Sequence, residues 1–400
     1  MIIIKKFLAY LLSGIACMGV GAGVYIAAGV FYRPPAPVVP FTQRMTTNDA
    51  VNELLPLVGK RLENDKSNTV VPEEPTPYRD TGSGTQSGLD DQSGLDSRLR
   101  GNDDMPVTIF FGGDIMLGRA VATKIAKNGS DVFFNKIKDP VLSADYAVAN
   151  LEGPITAINN SPDNDMRFHF DPALATQLAA TGFDAFSLAN NHMLDQGAQG
   201  FLDTKNNLTA AHLGYFGDAS DDNGSVLHFT VGGKNFAVIG AQDVYRQIDP
   251  VAIGKEIAAE KSAGNFVIIY PHWGVEYSHA ATARQTKLAF AFIDAGADMV
   301  VGSHPHVMEG IEIYKGKPIF YSLGNLVFDQ YFSTDTQQGV GLRLNIDASG
   351  STSVDLLPYE IPQSQPTLAV ADQRTKLLQA LASYSSPALK DQILVGNIKF

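Results

Sequence analysis

Short apolar runs alternate with amphipathic segments from residue 107 onward. The apolar runs are rich in β-branched and aromatic residues and lie at Val107–Phe111, Tyr146–Ala149, Ala185–Leu188, Phe266–Tyr270 and Met299–Val301. Between them, apolar residues recur with a helical period at Pro172–Thr181, Phe201–Ala211 and Ala283–Ala295. Strands that alternate with helices in this way predict βαβ units.

Later in the chain, paired apolar runs predict β-hairpins. The pairs are Val226–Val231 with Phe236–Ile239, Ile311–Tyr314 with Ile319–Ser322, and Gly341–Ile346 with Ser353–Tyr359. Turn residues separate the members of each pair. We therefore expect an α/β domain at residues 106–365, with mixed sheets that face each other and helices outside. Residues 366–400 are expected to form a helix at Leu368–Ala382 and a short tail.

The N-terminal segment has the pattern of a membrane anchor. Phe7–Tyr32 is a run of 26 residues without a charged side chain. A helix of that length is about 39 Å long, which is enough to cross a hydrocarbon core of ~30 Å. Lys5 and Lys6 precede it and favour a cytoplasmic N-terminus. We predict an anchor at residues 1–33 with a single-pass helix at 7–32, which places the main domain outside the cell membrane.

Two other fates of this segment stay open. A cleaved signal peptide has a shorter apolar region, of roughly 7–15 residues. Cys17 could carry a lipid, although Gly14-Ile15-Ala16 before it is a poor fit to a lipoprotein cleavage box. The length of the apolar run favours the uncleaved anchor over both.

Residues 34–105 have the composition of a linker. Prolines crowd its start, and the sequence Gln-Ser-Gly-Leu-Asp occurs twice, at 86–90 and 92–96. Such a segment cannot bury enough apolar area to offset the entropy that it would lose on ordering. It is therefore expected to tether the main domain to the anchor.

Charge and cysteine content exclude several classes of protein. The chain has 30 Lys+Arg and 42 Asp+Glu, which gives a net charge of −12. This balance argues against nucleic-acid binding, which needs a basic surface to neutralise phosphates. A single cysteine excludes an internal disulfide and metal sites made of several thiolates.

Polar residues with the chemistry of metal ligands follow the five runs predicted as βαβ strands. In strand order they are Asp114; Asn150 and Glu152; Asn190, Asn191, His192 and Asp195; His272; and His304 with His306. Open α/β sheets bind ligands at the carboxyl ends of their strands. Carboxylate, amide and imidazole groups suit zinc, manganese or iron. The pattern therefore predicts one metal or phosphate site at these strand ends.

Each of these residues alone has an ordinary structural explanation. Asp114 could cap a helix at 115–126, and Asn190-Asn191-His192 could form a turn. His272 could be a packed core histidine. The segment His304-Pro305-His306 is harder to explain in this way, because extended residues two apart point to the same side. The joint occurrence at strand ends favours the site.

Six motifs occur in order along the main domain. They are Gly-Asp-Ile-Met-Leu-Gly-Arg at 113–119, Asn-Leu-Glu-Gly-Pro at 150–154, Ala-Asn-Asn-His-Met-Leu-Asp-Gln-Gly at 189–197, His-Trp-Gly-Val-Glu-Tyr at 272–277, Gly-Ser-His-Pro-His at 302–306 and Tyr-Ser-Leu-Gly-Asn-Leu-Val-Phe-Asp at 321–329. Together they resemble the bacterial capsule synthesis protein CapA family, which is associated with poly-γ-glutamate capsules. The resemblance covers roughly residues 107–362. It implies a metallo-dependent phosphatase-like (calcineurin-like) fold, a four-layer α-β-β-α sandwich.

The resemblance also implies roles for individual residues. The metal ligands, for one or two ions of manganese, zinc or iron, would be Asp114, Glu152, Asn191, His272, His304 and His306. Glu152 is preferred to Asn150 as a bridging ligand because it is anionic. His192 would be the general acid or transition-state donor, with Asp195 to orient it. Substrate contacts would come from Arg119, Asn150, Glu276 and Asn325, although Arg119 could equally lie on a solvated helix face.

Two positions depart from the superfamily pattern. Met116 stands where metallophosphoesterases typically carry a histidine, and a thioether is a poor ligand for a hard ion. The second motif, Asn150-Leu151-Glu152, is not the usual Gly-Asp pair. One metal position is therefore expected to be weakened, lost or rebuilt.

Together these features predict a membrane-anchored, extracytoplasmic protein of capsule or poly-γ-glutamate synthesis or export. Its expected chemistry is metal-dependent hydrolysis, in which metal-bound water attacks a phosphate ester or an amide. The alternative is a non-catalytic scaffold that binds or exports the polymer and has a degenerate metal site. Expected partners are the capsule polymer or its precursor, the membrane and other capsule-synthesis membrane proteins, but not nucleic acid.

Overall fold

In the computed structural model, the described residues are 26–27, 30–31, 106–129, 131–160, 166–219 and 226–400. Contacts divide the chain into two units, Met1–Leu89 and Asp90–Phe400. In the first unit, Ile26–Ala27 pairs antiparallel with Val30–Phe31. Apart from these two pairs of residues, the predicted anchor helix at 7–32 lies outside the described residues, as do Cys17 and the linker at 34–105. Among the helices of the described ranges, none has the length and apolar character that crossing a membrane requires.

The second unit contains two β-sheets and nine labelled helices within its described residues. The strands are β1 Val107–Ile115, β2 Tyr146–Leu151, β3 Ala185–Ser187, β4 Gly214–Phe216, β5 Val226–Val231, β6 Lys234–Gln242, β7 Phe266–His272, β8 Met299–Val301, β9 Ile311–Tyr314, β10 Lys317–Phe320, β11 Asn325–Val327, β12 Gln338–Ile346, β13 Thr352–Glu360, β14 Thr367–Leu368 and β15 Asn397–Lys399. The helices are α1 Arg119–Asn128, α2 Asp131–Phe134, α3 Lys138–Leu142, α4 Leu174–Ala180, α5 Gly197–Ala210, α6 Pro250–Ser262, α7 Ala283–Ala295, α8 Ala371–Tyr384 and α9 Lys390–Val395. Short 3-10 turns lie at Asp335–Gln337, Pro362–Ser364 and Pro387–Leu389.

Both sheets are mixed. The larger has the order β14-β13-β12-β1-β2-β3-β4, with β11 also paired to β1 and β15 to β13. Its strands β1 to β4 are parallel, whereas β12 pairs antiparallel with β1. The smaller sheet has the order β9-β10-β8-β7-β6-β5, with antiparallel pairs at its two edges and parallel pairs between them. The predicted α/β class is confirmed.

The alternation of side chains along each central strand builds apolar cores on both faces of each sheet. In β1, Ile109 and Phe111 belong to a core that includes Tyr270 of the other sheet, while Phe110 belongs to a core with helices α2 and α4. In β7, Ile269 belongs to a third core with residues of α6 and α7. Because successive strand residues point to opposite faces, each central strand contributes to two of these cores.

The end of β1 is shaped by two glycines. Pairing between β1 and β2 shifts register between Phe111 and Asp114, so that Gly112 and Gly113 fall in the irregular stretch. Such a bulge bends a strand and re-aims the side chain that follows. A Cβ on Gly113 would lie 1.9 Å from the carbonyl oxygen of Gly324, so only glycine lets β11 approach β1. Asp114 does not cap a helix as the simpler explanation held, because α1 begins after Gly118.

Several helices lie where the pattern predicts them. The segments at 172–181, 201–211 and 283–295 contain or overlap α4, α5 and α7, and the helix at 368–382 is found as α8. Helix α6 was not predicted, although Asp249 accepts a hydrogen bond from the Val251 N–H and Pro250 occupies the first turn. The residues after α8 are not a simple tail, because β15 pairs with β13 inside the larger sheet.

The close approach at Gly113 predicts a large loss of stability on substitution. Gly113→Ala should lower the free energy of unfolding by about 3 kcal/mol, because backbone atoms must move apart to admit the methyl group. Gly254→Ala, in α6, is the matched control: its new Cβ would lie 3.6 Å from Ala295 Cβ, and helix propensity favours alanine. Denaturant unfolding followed by fluorescence of Trp273 measures both, and equal stabilities for the two variants would contradict the prediction.

Candidate metal centre

The first part of the candidate centre lies where β1 and β2 end. Asp114 and Glu152 are both completely buried. Asn150 lies between them and donates from Nδ2 to Asp114 Oδ1 at 2.9 Å and to Glu152 Oε2 at 3.3 Å. Asn190 Nδ2 in turn donates to Asn150 Oδ1 at 3.0 Å. The hydrogen-bonded side-chain amides of Asn190 and Asn150 therefore hold the carboxylates of Asp114 and Glu152 side by side.

The second part comes from the smaller sheet. His272, the last residue of β7, places Nδ1 2.9 Å from Ser303 Oγ and Nε2 2.7 Å from Asn191 Oδ1. His304 Nδ1 lies 3.2 Å from His272 Nε2. Because Asn191 follows β3 and His272 ends β7, this contact joins the carboxyl ends of strands from both sheets.

The segment after β8 has an unusual backbone. His304 and His306 have φ angles of 100° and 59°, in the region that favours glycine. His306 Nδ1 lies 3.4 Å from Asp114 Oδ2, and its Nε2 lies 3.5 Å from Glu152 Oε1. Strained backbone of this kind persists where the surroundings over-determine it, and it clusters at functional sites.

Two groups of side chains have the spacing of metal ligands. Asp114, Glu152 and His272 form one group, and Glu276, His304 and His306 form the other, with one ligand atom from each residue within 4.8 Å of the others. Glu276, predicted to contact substrate, thus lies among possible ligands. Glu276 is exposed, whereas the five other residues are buried. The second group therefore opens toward solvent.

The donor set fits a divalent cation. Glu152 Oε1 is buried and makes no hydrogen bond, although a buried carboxylate oxygen normally accepts one; its contact with His306 Nε2, at 3.5 Å, is an ion pair. Carboxylates and imidazoles surround it, and these are ligands for manganese, zinc and iron. The residues that would hold the ions are therefore the two groups defined above.

Burial favours the neutral form of His272 and of His304. Burial lowers the pKa of His272 well below its usual value, and His304 lowers it further. Burial also lowers the pKa of His304 to about 4, with His306 acting in the same direction. Neutral imidazole is the form that binds metal ions, so both rings are ready to do so at neutral pH.

The pKa values of Glu152 and His306 are both raised. Burial raises the pKa of Glu152 well above its usual value, although His306 opposes this rise. Burial would lower the pKa of His306, but Glu152 and Asp114 outweigh it and raise that pKa to about 9. The cluster therefore retains protons at neutral pH, which a cation would displace on binding.

His192 and Asp195 form a separate pair beside these groups. His192 Nδ1 lies 2.8 Å from Asp195 Oδ2, and the same carboxylate oxygen accepts the Phe168 N–H at 2.7 Å. The imidazole stacks on the Phe168 ring at 4.1 Å. Asp195 and Phe168 thus fix the ring and leave Nε2 without a protein partner among the described residues.

Arg119 lies at the edge of the centre. It forms an ion pair with Asp329 and its guanidinium lies over the rings of Phe168 and Phe328, at 4.9 and 5.5 Å. Its side chain is 23% exposed, which does not match a solvated helix face. Its positive charge is close enough to act on Glu152.

Three predicted positions are deeply buried. Asn150 and Asn325 are both inaccessible, and the Asn325 amide is bonded to His306 and to Thr336. Their observed contacts support the centre from within. Met116 is also buried, and its sulfur accepts the Gly118 N–H at 3.1 Å. The thioether therefore takes part in internal packing where the superfamily typically has a histidine.

Several contributing residues were missed from sequence. Ser303 lies inside the motif at 302–306 but was not predicted to contribute, whereas Asn190 was named after the third strand without its role as donor to Asn150. Phe168 lies outside all six motifs, and only its fold position brings it against His192.

A buried polar pair supports the loop after β7. Gln285 Nε2 donates to Glu309 Oε2 at 2.7 Å, and Gln285 Oε1 accepts the Thr282 N–H at 2.7 Å. The Gln285 side chain fills the space beside Gly274, where a Cβ would lie 2.6 Å from Gln285 Nε2. This pair therefore braces the backbone that carries His272 and Glu276.

Comparisons with known proteins identify relatives of this chain. A family model described as "Bacterial capsule synthesis protein PGA_cap" matches residues 108–330. The chain is 34% identical to the PGA biosynthesis protein CapA of Bacillus subtilis (strain 168), over 64% of this chain and 72% of that protein. It is 32% identical to the capsule biosynthesis protein CapA of Bacillus anthracis, over 65% of this chain and 69% of that protein. It is 28% identical to a probable polyglutamine synthesis accessory protein of Mycobacterium tuberculosis, over 58% of this chain and 76% of that protein.

The donor set predicts stabilisation by metal ions. Manganese or zinc at about 100 times its dissociation constant should raise the melting temperature by roughly 5 °C, because the ion binds only the folded chain. The double variant His304→Ala/His306→Ala should lose this rise. His228→Ala, at a histidine whose side chain is 56% exposed, should keep it. A melting temperature of the unmodified protein that ignores both ions would contradict the site.

The burial of Glu309 predicts that the stability of the protein depends on pH. Burial raises its pKa to about 8 from an ordinary value of 4.5, so its contribution is present below pH 4.5 and is lost as the pH rises through 8. Glu309→Gln should therefore make the decline in unfolding free energy between these pH values smaller, by up to about 5 kcal/mol. Urea unfolding of both proteins at several pH values measures this. An unchanged slope in the variant would show that Glu309 is not protonated in the folded protein.

Proposed function

The chain belongs to the bacterial capsule synthesis protein (CapA) family, and we propose that it is a membrane-anchored, metal-dependent hydrolase that acts in capsule or poly-γ-glutamate biosynthesis. The family membership supports an accessory role in that biosynthesis. The hydrolytic activity is supported by one observation above others: two buried carboxylates lie among imidazoles, and Glu152 Oε1 makes no hydrogen bond although it lies 3.5 Å from His306 Nε2. A structural core has no need for such a cluster, because each buried charge costs several kcal/mol unless it is paired.

The residues of the cluster would have different roles in hydrolysis. A bound divalent ion would act as a Lewis acid that activates water and polarises the phosphoryl or carbonyl oxygen of the substrate. Asp114, Glu152 and His272 would hold one ion, and Glu276, His304 and His306 a second. Asn150 donates to both buried carboxylates and holds them in fixed positions. A phosphate ester or an amide is the expected substrate.

His192 is the proposed proton donor. Its Nδ1 contact with Asp195 fixes the ring, so that Nε2 is the nitrogen left to meet the substrate. An oriented imidazole can protonate a leaving group, which contributes about 10²–10⁴-fold to a rate. Stacking on Phe168 keeps the ring from rotating away. Asp195 thereby acts through His192 as a positioning residue.

A non-catalytic polymer-binding or export scaffold is the second candidate. The observation that favours it is the buried Met116, whose sulfur is bonded internally at the position typical of a ligand histidine. A site with fewer ligands could hold an ion for structure alone. The net charge of −12 disfavours long-range attraction of a polyanionic polymer, so this role would need local cations such as Arg119.

The cellular setting is part of the same proposal. The uncharged run Phe7–Tyr32 supports a single-pass anchor in the cell membrane with the main domain outside. The proposed partners are the capsule polymer or its precursor and other membrane proteins of capsule synthesis.

A turnover assay distinguishes the hydrolase from the non-catalytic scaffold. With manganese or zinc, the unmodified protein should cleave a generic phosphodiester or a γ-glutamyl amide. His304→Ala/His306→Ala should abolish cleavage, and His192→Gln should lower kcat by about 10²–10⁴-fold without loss of metal binding. His228→Ala should behave as the unmodified protein.

Absence of turnover in a metal-loaded, folded protein would contradict the hydrolase. If the double variant then restored the capsule in a strain that lacks the gene, the scaffold would be the supported function.

A further inference from the structure

Tyr277 is held in a fixed position against the histidine segment. Its backbone N–H donates to the carbonyl oxygen of Pro305, the residue between His304 and His306, at 2.8 Å. Its φ angle is 65°, a strained backbone conformation for a bulky side chain. The structure therefore maintains this tyrosine against a local preference, directly beside two candidate ligands.

The ring of Tyr277 covers the open side of the second ligand group. Its centroid lies 6.1 Å from that of His306, and the Phe332 ring packs against it edge-on at 5.2 Å. The residue is nevertheless 45% exposed. A molecule that approached His304 and His306 from solvent would therefore meet this phenol.

A hydrogen-bond chain orients the hydroxyl group. Gln330 Nε2 donates to Tyr277 Oη at 3.3 Å, and Asn325 Nδ2 donates to Gln330 Oε1 at 3.1 Å. Asn325 Oδ1 in turn lies 3.0 Å from His306 Nδ1. Because the phenol oxygen accepts from Gln330, its own proton is directed elsewhere.

Charged side chains of both signs act on the hydroxyl. The Glu276 carboxylate is its hydrogen-bond partner, and the positive charge of Arg119 acts in the opposite sense to that carboxylate. Glu276 belongs to the second ligand group, so an ion held there would engage its carboxylate. The phenol proton would then be available to a bound molecule.

We propose that Tyr277 is a further catalytic residue, whose hydroxyl donates a hydrogen bond to an anionic oxygen of a phosphate-ester substrate at the open side of the second ligand group. This inference rests on the proposed function for the presence of the ion. It differs from the role given to His192, which donates to the leaving group. No proton leaves Tyr277 in this step.

The test compares the affinity of manganese-loaded protein for inorganic phosphate, measured by calorimetry, in Tyr277→Phe and in the unmodified chain. Loss of a hydrogen bond to a charged group predicts about 10- to 100-fold weaker phosphate binding. Manganese affinity and melting temperature should not change, since the ring and the backbone contact remain. Tyr314→Phe is the matched control, because Tyr314 ends strand β9 and its hydroxyl contacts Asp294 of α7, at 3.4 Å, which belongs to neither ligand group.

The outcomes separate this inference from the proposed function. Equal phosphate affinity in Tyr277→Phe and the unmodified protein would overturn the role of Tyr277, whatever the turnover. Manganese binding without any phosphate binding would overturn it as well. Weaker phosphate binding in Tyr277→Phe, with no hydrolysis by the unmodified protein, would support the contact and contradict the hydrolase.

Discussion

The burial of two carboxylates among three imidazoles is the constraint on which the rest of this structure depends. Asp114 and Glu152 have no exposed surface, and the histidines beside them are nearly as inaccessible. Taking such charges out of water costs several kcal/mol each unless a counter-charge is present. Protons can supply part of it, as the raised pKa of His306 indicates, but they leave Glu152 Oε1 without a hydrogen bond, 3.5 Å from His306 Nε2. A divalent cation would satisfy both requirements at once.

The fold brings this cluster together through local features that are unfavourable in isolation. Gly113 permits backbone contact between β1 and β11, which sets Asn325 opposite Asp114. His304 and His306 adopt left-handed backbone conformations that most residues avoid. The three apolar cores supply the stability that offsets these costs. The apolar cores of the sheets therefore supply the stability of the fold, whereas the strained residues of the candidate site lie at the carboxyl ends of the strands.

The fold class and the types of candidate ligand could be predicted from the sequence, because polar residues follow the apolar run of each predicted strand. Asp114, His272 and His304 lie two or three positions after the last residue of an apolar run, and parallel strands bring such residues to one edge of a sheet. Contacts that depend on tertiary packing were not accessible. Phe168 reaches His192 from a segment without a motif, and Arg119 is held by two aromatic rings far away in sequence. Helix α6 was missed even though the Asp249-Pro250 pair is a standard helix start.

The most direct test of the central claim is anomalous diffraction from crystals of the protein grown with manganese. We expect a peak bounded by Asp114, Glu152 and His272, with a second, weaker peak bounded by Glu276, His304 and His306. Manganese that binds elsewhere on the protein would contradict the site, as would side chains here that keep only hydrogen bonds to one another at saturating manganese.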